Sequence, residues 1–410
     1  MKLELVRGMR DIVGDEAVAQ RVFKERAASL LDSAGYQEVI LPSIEYYDLI
    51  AAKAGQELLD SLYEFMDRGG RKVALTPELT ASATRLYVTR FRDAPKPVKM
   101  WYVGPCFRYD EPQRGRYRQF TQLGVEVFGS SSPLADAEVV FIAASLLKSI
   151  GIDTWLKVGN ISFLRALLQD SGLEGSGMLS AIRSLDHGRY EEVEGSLNAR
   201  GKKIMEELMG SRKGDLDYWE GIAESELPSA VHGLRRLKKV VELIRAMLPA
   251  VEVKVDVSFA RGLAYYTDFI FEAYSHSMGE ALLGGGRYDN LVEELGGPPT
   301  PAVGFATGVD RVALLVKAPE VEKVALVVPL DEDSLGKAGK AFSAVSGRPG
   351  RHEMVPGPMS ARDAIERALK GSFHYVVLAG NREGPEEVVL RDLSSRTQKT
   401  VKLKELAQAL

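Results

Sequence analysis

At 410 residues, 45% hydrophobic and 27% charged, the chain has ordinary soluble globular composition with room for two or three domains. No apolar run approaches the roughly 20 residues that cross a bilayer, and MKLELVRGMRD lacks the apolar block of a signal peptide, so no membrane partner is expected and the cytoplasm is the predicted compartment. The lone Cys106 excludes an intrachain disulfide or a CxxC site, the five scattered histidines imply no metal, and a net charge of -4 leaves nucleic-acid binding undecided.

After an entry segment over 1–16, the pattern predicts a helix from about Ala17 to Ser33, ended by Gly35, and a strand from Gln37 to Leu41 broken at Pro42. Lys72 to Leu75 reads as a strand running into Thr76-Pro77-Glu78-Leu79-Thr80, where the proline fixes a turn and a helix follows. A glutamate at such a turn commonly caps the first helical turn.

Pro97 to Gly129, PVKMWYVGPCFRYDEPQRGRYRQFTQLGVEVFG, predicts two strands joined by a long, basic loop. Alternate side chains of a strand point to opposite faces. Parity therefore puts Leu123, Val125 and Val127 on a core face, and Gln122, Gly124 and Glu126 on the other, together with Tyr102, Gly104 and Arg108 of the first arm. Glycines inside strands often mark the close approach of a ligand. Both charge signs above two glycines suit a small zwitterion.

This stretch resembles motif 2 of the class II aminoacyl-tRNA synthetases, in the form found in histidyl-tRNA synthetases. The resemblance implies an α+β class II catalytic domain on an antiparallel sheet. The first helix, strand and proline are then similar to motif 1, which implies a homodimer. Glu78 and Thr80 align with residues that grip the amino group of histidine.

Ser131 to Ser149 has helical periodicity, and from about 163 to 248 the chain is helical and charge-rich, ending in the basic amphipathic HGLRRLKKVVELIRAML. The family carries a helical insertion here that leans on the tRNA acceptor stem, which would employ Arg235, Arg236, Lys238 and Lys239. Val251 to Val257 alternates as a half-buried strand. In FARGLAYYTDFIFEAY, Arg261-Gly262 predicts a turn and Tyr265 to Tyr274 a returning strand, on which adjacent tyrosines face opposite ways. The string is similar to the family's RGLDYYTG signature, with Ala264 in place of Asp and Asp268 in place of Gly.

Leu283 to Asp289 carries three glycines, but no Lys-Ser/Thr follows as a P-loop requires. GGRYDNLVEELGG resembles the family segment that packs around the substrate pocket. PAVGFATGVDRVALLV predicts a strand entering a helix, with Thr307 as N-cap and Arg311 in the first turn. It is similar to motif 3, whose arginine lies against ATP. Beyond a linker over Lys317 to Lys323, alternating strands and helices predict a separate α/β domain. It resembles the family's anticodon-binding domain, giving a catalytic domain over 1–318 and an anticodon-binding domain over 323–410.

The resemblance implies a histidine-tRNA ligase using ATP and Mg2+, with L-histidine and tRNA-His as partners. Arg108 and Arg261 would be catalytic and, with Arg311, bind ATP. Glu78, Thr80, Gln122, Glu126, Tyr265 and Tyr266 would bind histidine, and Gln113, Arg114 and Arg116 the tRNA acceptor end. No carboxylate cluster identifies metal ligands. The alternative is a histidine-sensing regulatory paralogue of ATP phosphoribosyltransferase, which Ala264 favours and the C-terminal domain disfavours.

Overall fold

The computed structural model describes residues 3–52, 56–111, 117–210, 213–262, 265–317 and 322–410. Its contacts divide the chain into two units, Met1–Ala318 and Pro319–Leu410.

The first unit is built on eight strands: β1 (Gln37–Glu38), β2 (Val98–Phe107), β3 (Gln119–Phe128), β4 (Thr154–Asn160), β5 (Glu252–Val255), β6 (Phe269–Ser275), β7 (Ala281–Arg287) and β8 (Ala302–Gly308). They lie in the order β1-β2-β3-β8-β7-β6-β4-β5. The central six are antiparallel, and the edge strands β1 and β5 pair in parallel. A three-stranded sheet of Ile44–Tyr46, Lys72–Leu75 and Glu64–Met66 stands apart from it.

Three helices bury one face of the large sheet: α1 (Gly14–Ser33), α3 (Pro133–Ser149) and α5 (Val231–Met247), with α2 (Thr80–Leu86) preceding α3 in the chain. The core face carries Trp101, Leu123, Val125, Val127, Phe271 and Phe305 against apolar stripes of these helices. Ser132 caps α3 by accepting from Leu134 N at 3.2 Å, next to Pro133, which has no N–H to satisfy.

The opposite face is covered in two patches, which leave the middle open. Around α2, Leu79, Ala83 and Tyr87 pack on Met100, Tyr102 and Phe128. Beyond β6, the insertion builds its own core around Phe163 and Trp219. Its helices run from Ile161–Asp170 through α4 (Gly175–Asp186) to α5; the last element of the unit is α6 (Val309–Ala313), after β8. Between the patches, strand register lines up Tyr102, Gly124, Ala306, Gly284, Glu272 and Lys157 in one row across six strands. The middle of that row is small.

The second unit has a five-stranded sheet, with Arg351–Met354, Lys323–Pro329 and Tyr375–Ala379 parallel and Glu387–Asp392 and Gln398–Lys402 antiparallel. Ala325 and Val327 face the helices Leu335–Val345 and Leu403–Ala409, while Leu326 and Val328 face Ala361–Lys370. Burial on both faces explains why VALVVPL reads as an unbroken apolar run.

Candidate active site

A cavity of about 740 Å³ opens over the small-residue row. It collects Arg108, Gln122, Arg261, Tyr265, Tyr266 and Arg311 from four separate parts of the chain.

Arg108 follows β2 and is held through one N–H, its Nε donating to Pro77 O at 2.9 Å, with its guanidinium 5.4 Å from the Phe120 ring centroid. Among the described residues it has no acidic partner. Most of its planar donor fork is therefore unspent.

Arg261 is held differently. Its Nη1 bonds Glu272 Oε1 at 2.7 Å, and Glu272 Oε2 accepts from the Tyr274 hydroxyl at 2.6 Å. A Cβ on Gly284 would lie 1.8 Å from that Nη1, so this glycine makes the slot in which the guanidinium rests. From the insertion, Asp186 at the end of α4 accepts from Gly262 N at 2.7 Å and also lines the cavity. Arg311 donates from Nη1 to Ala281 O at 2.8 Å and pairs with Glu280 at 3.3 Å.

Glu78, Thr80 and Glu126 stand behind the cavity wall. Both oxygens of Glu78 cap α2, accepting from Thr80 N at 2.8 Å and Ala81 N at 3.0 Å. Gln122 Oε1 ties this turn to β3, taking Leu79 N at 2.9 Å and the Cys106 thiol at 3.1 Å. Thr80 Oγ1 lies 3.4 Å from the Tyr102 hydroxyl, which donates to Glu126 Oε1 at 2.8 Å; the Tyr288 hydroxyl donates to the other oxygen. The Tyr288 ring meets that of Tyr265 edge-on at 5.7 Å, which brings the buried chain to the cavity surface.

Burial pushes the Glu126 carboxyl up to about 8, against the opposing pull of its two tyrosine donors. Burial also holds Tyr102 and Tyr288 well above the usual phenol range, so both remain neutral donors.

Four expectations change. Tyr265 and Tyr266 precede β6 rather than lying in it, so both rings, 5.0 Å apart, line the same cavity. Thr307 belongs to β8 and donates to Leu282 O at 2.8 Å; Gly308 is the N-cap position of α6. The space above Gly124 is filled by the Tyr102 ring, 2.3 Å from where a Cβ would stand. Arg236 turns inward, bonding Ser131 O at 2.8 Å and the fully buried Asp136, which Arg287 also grips. Arg235, Lys238 and Lys239 are each paired with acids of the insertion. Arg236 is thus committed to tying α5 to α3 and is removed from the acceptor-stem set.

Gln113, Arg114, Arg116 and Ala264 lie outside the described residues. Sequence reasoning missed Tyr288, Glu272, Asp186 and Asp310. Of these only Glu272 had a local signal, since alternation along β6 sets it opposite Phe271 and Ala273.

The family profile described as Histidyl-tRNA synthetase matches residues 8–312. The chain belongs to the histidyl-tRNA synthetase family. Among its relatives, the histidine–tRNA ligase of Methanocaldococcus jannaschii is 31% identical over 98% of this chain and 97% of its own. That of Thermococcus kodakarensis is 34% identical over 98% and 96%. A solved structure described as an ATP phosphoribosyltransferase regulatory subunit/histidyl-tRNA synthetase, from Bacillus halodurans C, superposes with a TM-score of 0.77 at 22% identity, covering 93% of this chain and 99% of that one. The likeness extends to the class II synthetase fold.

Proposed function

We propose that the protein activates L-histidine with ATP to histidyl-adenylate, releasing pyrophosphate, and transfers histidine to the 3' end of tRNA-His. The observation that carries this reading is the convergence of Arg108, Arg261 and Arg311 on one cavity with Gln122, Tyr265 and Tyr266. Bringing a carboxylate against an α-phosphate sets two anions together, and charge builds as the new bond forms. Preorganised guanidinium groups offset that repulsion, and no covalent enzyme nucleophile is needed.

Arg108 is assigned to the reacting carboxylate and α-phosphate, because its fork is unspent. Arg261, fixed by Glu272, is the second catalytic cation, and Arg311 binds ATP at the α6 end. Gln122, Glu78 and Thr80 form the amino-group end of the histidine site. Glu126 with Tyr265 and Tyr266 forms the imidazole end, where a ring that both donates and accepts needs partners of both kinds.

Among the described residues no group of three His, Cys, Asp or Glu could hold a metal ion. Mg2+ is expected to enter with the ATP phosphates, the usual company of that ion. Gln113, Arg114 and Arg116 are assigned to the tRNA acceptor end, and the 323–410 domain to the anticodon. A cytoplasmic homodimer completes the reading; among the described residues no helix is long and apolar enough to cross a membrane. Relatives named histidine–tRNA ligase match 98% of the chain, which favours the synthetase over the histidine-sensing alternative.

The test is histidine-dependent exchange of pyrophosphate into ATP. Exchange that requires histidine and falls by roughly 10²-fold or more in Arg261→Ala supports adenylate formation. Histidine binding without exchange in the unaltered protein would put the regulatory reading first.

A further inference from the structure

The segment before α1 contacts residues on two sides of the cavity, near Tyr117 and at Asp310. Gly8 O accepts from Arg118 N at 3.0 Å, at the foot of the loop between β2 and β3. Gly8 has φ +82°, and a Cβ there would lie 2.6 Å from the Arg118 side chain, so the segment lies flush against that loop. Arg10 then reaches across. Its guanidinium stacks 3.8 Å from the Tyr117 ring centroid, its Nη1 pairs with Glu16 at 2.5 Å and its Nη2 with Asp310 Oδ1 at 2.7 Å. Tyr117 and Asp310 both line the cavity, and Asp310 directly precedes Arg311 on α6.

Asp310 is only 2% exposed. It accepts from Gln20 Nε2 at 3.2 Å and from Thr121 N at 2.7 Å, but Arg10 is its only cationic partner among the described residues. Without Arg10, a buried carboxylate would stand uncompensated beside the place assigned to a polyanion, and nothing would join the β2–β3 loop to α6 through Tyr117. Leaving one member of such a pair unpartnered is the costly case.

We propose that residues 7–10 form a strap across the nucleotide end of the cavity, with Arg10 as a positioning residue for ATP. It acts by neutralising Asp310 and fixing Tyr117 and α6 relative to one another. Of the residues assigned to histidine, Glu78, Thr80 and Glu126 hydrogen-bond to α2, Tyr102 and Tyr288 rather than to the strap. The strap rests on the reading of this cavity as the ATP site, and it predicts an asymmetric defect.

The experiment compares the full-length chain with Arg10→Ala, Arg10→Lys and the double variant Arg10→Ala/Asp310→Asn. ATP and histidine are varied separately in pyrophosphate exchange, and ATP binding is measured calorimetrically. Arg10→Ala is expected to raise the KM and Kd for ATP roughly tenfold while the KM for histidine stays within about twofold. Arg10→Lys restores part of the loss, because an ammonium keeps the charge without the fork. Removing the Asp310 charge restores part of it as well. An unchanged ATP affinity in Arg10→Ala, or equal changes for both substrates, overturns the strap. Absence of exchange in the unaltered protein strikes the catalytic reading instead, and the calorimetric comparison still decides on Arg10.

Discussion

Glu126 is where desolvation and hydrogen bonding pull hardest against each other. It is 1% exposed, its two oxygens accept from Tyr102 and Tyr288, and burial wins, raising the carboxyl to about 8 from a usual 4.5. Between those values the native protein holds a proton that the unfolded chain releases. Glu126 thus contributes stability that is fully present below about pH 4.5 and is lost as pH rises through about 8. Urea midpoints taken across that window should fall with pH in the unaltered protein and fall less steeply in Glu126→Gln; equal slopes would show that Glu126 is ionised throughout. Strand parity alone set Glu126 on Arg108's face, because the period of two holds along β3. Tyr288 escaped the same logic, since its partner is 162 residues away and nothing local to GGRYD points toward it.

Among the elements, β7 shows how a strand can act through what it lacks. Its Gly284 lies between Ala306 and Glu272 in the register, and the missing side chain is replaced by the Arg261 guanidinium. Gly284→Ala should expel that group and lower histidine-dependent exchange by roughly 10²-fold, as expected for a displaced charge contact. Near-normal exchange in a folded Gly284→Ala protein would mean that Arg261 works from another position. The helices were legible where periodicity was long: α1, α3 and α5 follow their apolar stripes to within a few residues. The Tyr265-Tyr266 pair was misread because β-rich composition extends before the point where pairing begins, at Phe269. Basic charge on α5 was misleading for another reason: the acids that engage Arg235, Arg236 and Lys238 come from other elements, and pairing across elements leaves no trace in a local charge run.

Across the whole molecule, the family and its fold were readable because three short stretches, FRYDEPQRGRYRQF, RGLAYYT and GVDR, bring their chemistry to one sheet face. What could not be read was the set of contacts that steady those stretches: the N-terminal strap, Asp186 from the insertion and the Glu272 brace. The strap and Asp186 join residues far apart in sequence, whereas the Glu272 brace is short in sequence and was missed because its pairing with Arg261 depends on geometry that only the folded chain supplies. In the second unit the short strand Arg351–Met354 and the final helix Leu403–Ala409 were missed as well, one too brief and the other too weakly patterned to stand out.

The chain's single cysteine turns this architecture into an instrument. Cys106 is fully buried, its thiol bonded to the same Gln122 that holds the α2 turn, and burial pushes its pKa up. A thiol reagent can therefore modify the native protein only when α2 lifts from the sheet, and no second thiol obscures the count. Labelling under native conditions should be slow compared with labelling in urea, and saturating histidine should slow it further if Gln122 and its turn hold the amino end of that ligand. Rapid, histidine-insensitive modification would contradict that placement. The protein thus carries an unengineered clock for the opening of its substrate wall, read by mass one adduct at a time.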